Sequence, residues 1–274
     1  MKTLIFHSLE TSTLEKLALE LRGEIELRKN HYRIHTNKNF NIENYRLVNN
    51  IDLNIFDTNF DYQDIRLMVS DMDSTLITVE TIDEVAKEVG LKDEISLITE
   101  EAMQGHLDFT ESFKKRLSIL KGINNSICES VYSHKVELSP GAEELINYFK
   151  SNQIKMAVVS GGLKFFAEKL TSQLGIENCR ANNVEIINQS ITGNIIGNVI
   201  DAKEKAKYIG ELCDQYKLKE TQVIAIGDGA NDIEMMKIAG LSVAYHAKPI
   251  LKQYSNIHIN FGSLRSLIDF FEGS

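Results

Sequence analysis

The sequence predicts an α/β protein: a doubly wound, mostly parallel sheet as the core, with a helical insertion and a small α+β region at the N-terminus. Three observations carry that expectation. Near-continuous apolar runs recur as IRLMVSD from Ile65, IKMAVVSGG from Ile154 and QVIAIGDG from Gln222, with LSVAYHA from Leu241 as a fourth; such runs mark strands buried on both faces. Helical patterns lie between them, in GAEELINYFKSN and KEKAKYIGELCDQYKL, and strands alternating with helices imply right-handed crossovers into an open sheet. The first three runs end in small or acidic residues, and such sheets bind ligands beyond the carboxyl ends of their strands. Asp71, Ser160 and Asp228 are therefore expected to converge on one crevice.

The regions divide by pattern. Residues 1–64 alternate short strands with a helix: LIFHS, then TSTLEKLALEL closed by Gly23, then EIELRK and YRIHT, with TNKNFNIENYR as a polar connector. His7, His31 and His35 have no catalytic spacing there and are expected as surface or satisfied core histidines. Two roles stand open for this region, an interaction or dimerisation module and an amino-acid-sensing module. Residues 65–77 and 134–274 form the core. Between them, residues 78–133 read as helices in ETIDEVAKEVG, EISLITEEAMQG and DFTESFKKRLSILKG, a lid-sized insert over the crevice. A hairpin is expected in NNVEIINQSITGNIIGNVI, turning near Asn188 and Gln189.

Composition limits the function. The chain has 274 residues, 43% apolar and 25% charged, which suffices for a sizeable core. The net charge of −9 is unsuited to a phosphate backbone, which Lys and Arg must hold. A small anionic substrate remains compatible, since a pocket can be cationic in an acidic protein. Cys128, Cys179 and Cys213 are odd in number and scattered, as reduced thiols of a cytoplasmic protein would be. Met1 leads directly into a strand-like segment without a signal-peptide pattern, and no apolar run approaches a membrane span. The expected partner is a small molecule, with neither nucleic acid nor membrane, bound by a monomer or homodimer.

The chemistry centres on VSDMDSTLI. Two carboxylates at the end of a buried strand are costly without a cation on them. Transfer of a phosphoryl group from a monoester needs an in-line nucleophile, a cation for the phosphate oxygens and a proton donor for the leaving oxygen. Asp71 suits the nucleophile, as an aspartyl-phosphate former. Asp73 suits the proton carrier, first for the leaving alcohol and then for water. Two carboxylates beside a phosphate call for a divalent ion, and magnesium matches oxygen ligands. Asp228 is the further ligand, with Asp232 supporting it. The hydroxyl and backbone N–H groups of Ser160, Gly161 and Gly162 suit a phosphate oxygen, and Lys205 can place a point charge nearby. Taken singly, DMDST, SGG, KEKAK and GDGAND are ordinary turns, caps and solvated faces; their order after buried strands is not ordinary.

DMDST, VSGG, Lys205 and GDGANDIEMM resemble the motifs of the haloacid dehalogenase superfamily of phosphatases. Within it the resemblance runs to the phosphoserine hydrolases, through TVETIDEVA, EAMQGHLDF, KKRLSILKG, GNVIDAKEKA and AGLSVAYHAKP. It covers about residues 65–262 and implies a Rossmann-like core. It implies Asp71 as nucleophile and Asp73 as acid and base, with Mg2+ held by Asp71, the Asp73 main-chain carbonyl and Asp228. Ser160, Gly161, Lys205 and Asn231 would surround the phosphate. Glu80, Met103, Phe109 and Arg116 would shape the pocket for O-phosphoserine, Arg116 taking the carboxylate and Glu80 the ammonium. Two other functions are compatible with these parts: a superfamily phosphatase for another small phosphate such as phosphohomoserine, and a phospho-accepting receiver module. Asp73, which would hydrolyse the acyl phosphate, and the insert disfavour the receiver.

Overall fold

The structure is a computed structural model that describes residues 1–8, 10–103 and 106–272, apart from the Met103 side chain. The N-terminal part runs β1 (Lys2–Phe6), α1 (Thr11–Leu21), β2 (Glu24–Leu27), β3 (Tyr32–Thr36), α2 (Ile42–Asn49) and β4 (Leu53–Phe56). Its four strands form an antiparallel sheet in the order β2-β3-β1-β4. Leu4, Phe6, Ile34 and Leu53 on one sheet face close a core with Leu14, Leu17, Ala18 and Leu21 of α1. Two local expectations need correction. The polar stretch expected as a connector contains α2, which Asn41 caps by accepting from the N–H groups of Glu43 and Asn44. The residue in left-handed conformation after α1 is Arg22, at φ 49°, not Gly23. Gly23 is needed for closeness: a Cβ there would lie 2.5 Å from Ile34 Cγ2.

The larger part begins with β5 (Leu67–Ser70), followed by α3 (Thr81–Glu88), α4 (Lys92–Met103), α5 (Phe109–Ile119), α6 (Ser126–Lys135) and α7 (Ala142–Ser151). Next come β6 (Lys155–Leu163), α8 (Lys164–Leu174), β7 (Asn178–Ile187), β8 (Ser190–Ile196) and α9 (Ala202–Tyr216). The chain ends with β9 (Val223–Gly227), α10 (Ile233–Ile238), β10 (Leu241–Tyr245), α11 (Pro249–Lys252), β11 (Ile257–Ile259) and a 3-10 helix at Leu264–Phe270. The sheet order is β11-β10-β9-β5-β6-β7-β8. All neighbours are parallel except β7 and β8. The β7–β8 turn is the expected one, with Asn188 and Gln189 both at positive φ, as a tight hairpin twist requires.

Alternation along β5 explains the two-sided burial. Leu67 and Val69 pack with Ile209 and Leu212 of α9 and with Met235 of α10. Met68, on the opposite face, packs with the cluster of Phe149 from α7 and Phe166 from α8. β5 lies centrally, with β6 on one side and β9 on the other. Strand order reverses there, which opens the crevice at its carboxyl end. The chain leaves β5 for the helical insert and returns beside itself: Ile77 bridges Leu138, and Thr78 N–H donates to Glu137 O at 3.0 Å.

The N-terminal sheet docks on this core through its second face, where Ile5 and Phe56 join Tyr62 and Phe270. Polar contacts fix the docking. Asn54 of β4 donates to His258 O and accepts from His258 N–H, both at 2.9 Å. Arg46 of α2 reaches His258 Nδ1 at 2.7 Å. Asp52 accepts from the backbone N–H groups of Asn260, Phe261 and Gly262. His7 Nδ1 lies 2.9 Å from Asp269 Oδ2 and His31 Nδ1 3.5 Å from Asp269 Oδ1. These buried histidines hold one carboxylate between two parts of the molecule.

Candidate active site

Asp71 follows β5 directly, and the sheet fixes its backbone: its N–H donates to Ile226 O of β9 at 2.9 Å. Its side chain has two partners. Oδ1 accepts from the Met72 N–H at 2.7 Å, and Oδ2 lies 2.7 Å from Lys205 Nζ. Lys205 comes from the first turn of α9, which Asp201 caps through the N–H groups of Lys203 and Glu204. It is wholly buried and also bonds Asp232 Oδ1 at 2.7 Å. Asp232 Oδ2 in turn accepts from the N–H groups of Asp228 and Gly229, both at 3.1 Å. A Cβ on Gly227 would sit 2.3 Å from that oxygen, so β9 must end in glycine for the loop to fold onto Asp232.

Carboxylate oxygens of Asp71, Asp228 and Asp232 all lie within 4.8 Å of one another. Lys205 is the one cation in ion-pair contact with them among the described residues. The electrostatics record that shortage of positive charge. Burial, with Asp232 and Asp228 beside it, pushes the Asp71 carboxyl well up against the pull of Lys205. Burial and Asp232 push Asp228 up to about 7. Burial would depress Lys205, but Asp232 and Asp71 outweigh it and hold its ammonium charged. A hard divalent cation with oxygen ligands fits this set.

Asp73 lies two residues on, beyond the end of the strand. Its carboxylate accepts from Thr81 at the start of α3, from N–H at 3.3 Å and from the hydroxyl at 3.2 Å. It has no ion pair with Lys205 or any other described cation. Burial, then Glu80, pushes its carboxyl well up. Asp71 is paired with Lys205 and Asp73 is not, which sets the two carboxyls apart for different roles.

The opposite wall comes from β6. Ser160 is buried, and its Oγ accepts the Gly162 N–H at 2.8 Å, leaving the hydroxyl proton to donate elsewhere. Both following glycines are needed for closeness. A Cβ on Gly162 would meet Asp73 Oδ2 at 2.4 Å, and one on Gly161 would meet the Phe109 ring at 2.5 Å. Asn182 of β7 locks the turn, donating to Gly161 O and accepting from the Ile200 N–H, both at 2.8 Å. Sequence reasoning missed Asn182, because an Asn within a strand carries no pattern.

The helical insert closes the top. Phe109 stands over Gly161, with Phe113 behind it. Glu80 accepts from Ser74 Oγ at 2.7 Å. Arg116, at the end of α5, lies 3.7 Å from Asp83 of α3. A cavity of about 840 Å³ lies between, lined by Asp71, Asp73, Glu80, Phe109, Arg116, Ser160, Gly161, Asp228 and Asn231, with Asp83 and Lys248 also on its wall. Lys205 and Asp232 stand behind Asp71 rather than on the wall. The Met103 side chain lies outside the described residues. Asp83 and Thr81 went unnoticed in the sequence, though both sit in the TVETIDEVA stretch; a charge or hydroxyl in a helical first turn reads as a cap.

Residues 65–240 match the haloacid dehalogenase-like hydrolase family. A phosphoserine phosphatase of Polaromonas sp. is 40% identical over 222 residues, which is 79% of this chain and 94% of that protein. A crystal structure of a HAD family hydrolase from Salmonella enterica serovar Typhi aligns with a TM-score of 0.91 at 27% identity, covering 100% of this chain and 99% of that one. A phospho-aspartyl intermediate analogue of phosphoserine phosphatase aligns with a TM-score of 0.71 at 37% identity, covering 75% of this chain and 98% of that one. The chain belongs to the haloacid dehalogenase-like hydrolases, and within them to the phosphoserine phosphatase family.

Proposed function

We propose that this enzyme hydrolyses O-phospho-L-serine to L-serine and phosphate, as the last step of serine formation, in the cytoplasm, with Mg2+ as its metal. The observation that carries the reading is one cavity with Asp71 and Asp73 at its floor and Glu80 and Arg116 on its upper wall. That lining supports phosphoryl chemistry beside a carboxylate and a guanidinium of complementary sign to an amino acid. Asp71 Oδ attacks phosphorus as the ester oxygen leaves, forming an aspartyl-phosphate. The protonated Asp73 gives its proton to that oxygen, releasing serine. Asp73, now a carboxylate, takes a proton from water as the water attacks the acyl phosphate, and Asp71 is regenerated. Ser160 and the N–H groups of the glycine turn, with Asn231, hold the phosphate oxygens. Lys205 favours the charged form of Asp71. Asp71, the Asp73 carbonyl and Asp228, supported by Asp232, would hold Mg2+, which neutralises charge on the transferring group.

Residues 78–133 act as a cap, residues 65–77 and 134–274 as the catalytic core and residues 1–64 as a separate module. Phe109 excludes water beneath the cap. Three free thiols and the acidic surface agree with a cytoplasmic enzyme that takes a small molecule rather than nucleic acid. No described helix is long and apolar enough to cross a membrane. The test is phosphate release from phosphorylated serine, threonine, homoserine and p-nitrophenol, with and without EDTA. Preference for phosphoserine and loss with EDTA are expected. Equal turnover of all four esters would remove the substrate assignment.

A further inference from the structure

We propose that Asp83 is the positioning residue for Arg116, holding the guanidinium in the cavity while leaving its hydrogen-bond donors free for the substrate. The inference rests on the assignment of Arg116 to the serine carboxylate. Asp83 lies in the first turn of α3 and Arg116 near the end of α5, so two separate helices of the insert meet at this pair.

The geometry is that of an ion pair held apart. Arg116 Nη1 and Asp83 Oδ1 are 3.7 Å from each other, within Coulombic range but too far for a hydrogen bond. Asp83 Oδ1 and Arg116 Nε are both buried, and neither has a hydrogen-bond partner among the described residues. Buried polar atoms are ordinarily satisfied. A purely structural pair would close the gap into a forked contact, as Arg and carboxylate commonly do. That contact would occupy the donors a substrate needs.

Held at this distance, Asp83 supplies the counter-charge that keeps a guanidinium stable in a largely buried place. The Arg116 side chain is only 13% exposed, against 40% for Asp83. The unpartnered Nε and the adjacent Nη form one edge of the fork, the edge that takes a carboxylate bidentately. A ligand carboxylate arriving there would satisfy the orphaned donor. Substituting Asp83 would leave Arg116 without its local anion, free to turn toward other carboxylates of the wall such as Glu80.

The test uses the full chain with saturating Mg2+, on O-phosphoserine and on p-nitrophenyl phosphate, which has neither carboxylate nor ammonium. Asp83→Asn should raise KM for phosphoserine about tenfold more than KM for p-nitrophenyl phosphate, with kcat on phosphoserine changed less than about threefold. Asp83→Glu should recover part of the loss. In an Arg116→Ala background, Asp83→Asn should add less than about a twofold further loss, because the two act as a unit. Activity on p-nitrophenyl phosphate reports that each variant is folded; Asp83→Ser stands in if Asp83→Asn is not. Equal losses on both esters, or fully additive losses, would overturn the inference. If Arg116→Ala is itself unselective, the carboxylate assignment falls and this inference with it. If Arg116→Ala is selective and Asp83→Asn is not, the inference alone falls.

Discussion

Lys205 Nζ lies 2.7 Å from Asp71 and 2.7 Å from Asp232, and the three side chains are between 0% and 4% exposed. One buried cation therefore balances two buried anions. Lys205→Met removes it and leaves both carboxylates uncompensated, which should destabilise the protein by about 3–5 kcal/mol. Urea denaturation measures the loss. A wild-type midpoint for Lys205→Met would place the charge balance elsewhere.

The two aspartates proposed for catalysis should respond differently to leaving groups. Asp71→Asn should lower kcat at least about a hundredfold on every ester, a loss of roughly 2.7 kcal/mol or more. Asp73→Asn should harm phosphoserine more than p-nitrophenyl phosphate in kcat/KM, because p-nitrophenolate needs little protonation. Equal damage from Asp73→Asn on both esters would count against its role as the acid.

Glycines separate closeness from freedom. Gly162→Ala drives a methyl to 2.4 Å from Asp73 Oδ2 and should abolish turnover. Gly210, inside α9, has nothing within 4 Å of its missing Cβ. Gly210→Ala should stabilise the protein by roughly 0.5–1 kcal/mol with activity retained. Thermal melts and initial rates read both changes.

Removing the metal should lower stability as well as activity. A cation on Asp71 and Asp228 offsets the burial and the Asp232 charge that push Asp228 up to about 7. Added Mg2+ should raise the melting temperature progressively with concentration, as binding to the folded state alone requires. A melting temperature indifferent to both EDTA and Mg2+ would argue that these acids bind no cation.

Asp269 should make stability fall in acid. Burial alone would raise its carboxyl, but the contacts with His31 and His7, and then the electrostatic pull of the two rings, hold it down at about 2. A depressed carboxyl stabilises the fold above its ordinary value near 3.8, and that stability is lost as pH falls from there toward 2. Asp269→Asn should cost about 2 kcal/mol near neutral pH. The gap to wild type should narrow in acid, below about pH 4. A gap constant with pH would show that Asp269 acts by shape rather than charge.

The parallel strands were legible because burial on both faces leaves unbroken apolar runs, as in IKMAVVSGG, and the strand ends then placed Asp71, Ser160 and Asp228. What the sequence hid lacked a local signal. Arg46 is the buried residue of α2, so that helix has no apolar stripe to detect. The tie between His7 and Asp269 spans 262 positions, and no local pattern records such a contact. Asp83 reads as an ordinary helix-start acid until Arg116 is placed opposite it. The left-handed residue after α1 is Arg22, while Gly23 is needed for closeness to Ile34.

The Asn54 amide on His258 has a consequence for life in a crowded solution. β11 is an outer strand of the large sheet, and an outer strand offers unpaired backbone groups to any passing chain. Asn54 takes up both backbone groups of His258, and Asp52 takes the N–H groups just beyond. The leading segment is thus a guard rail, keeping the sheet from being extended by a stranger.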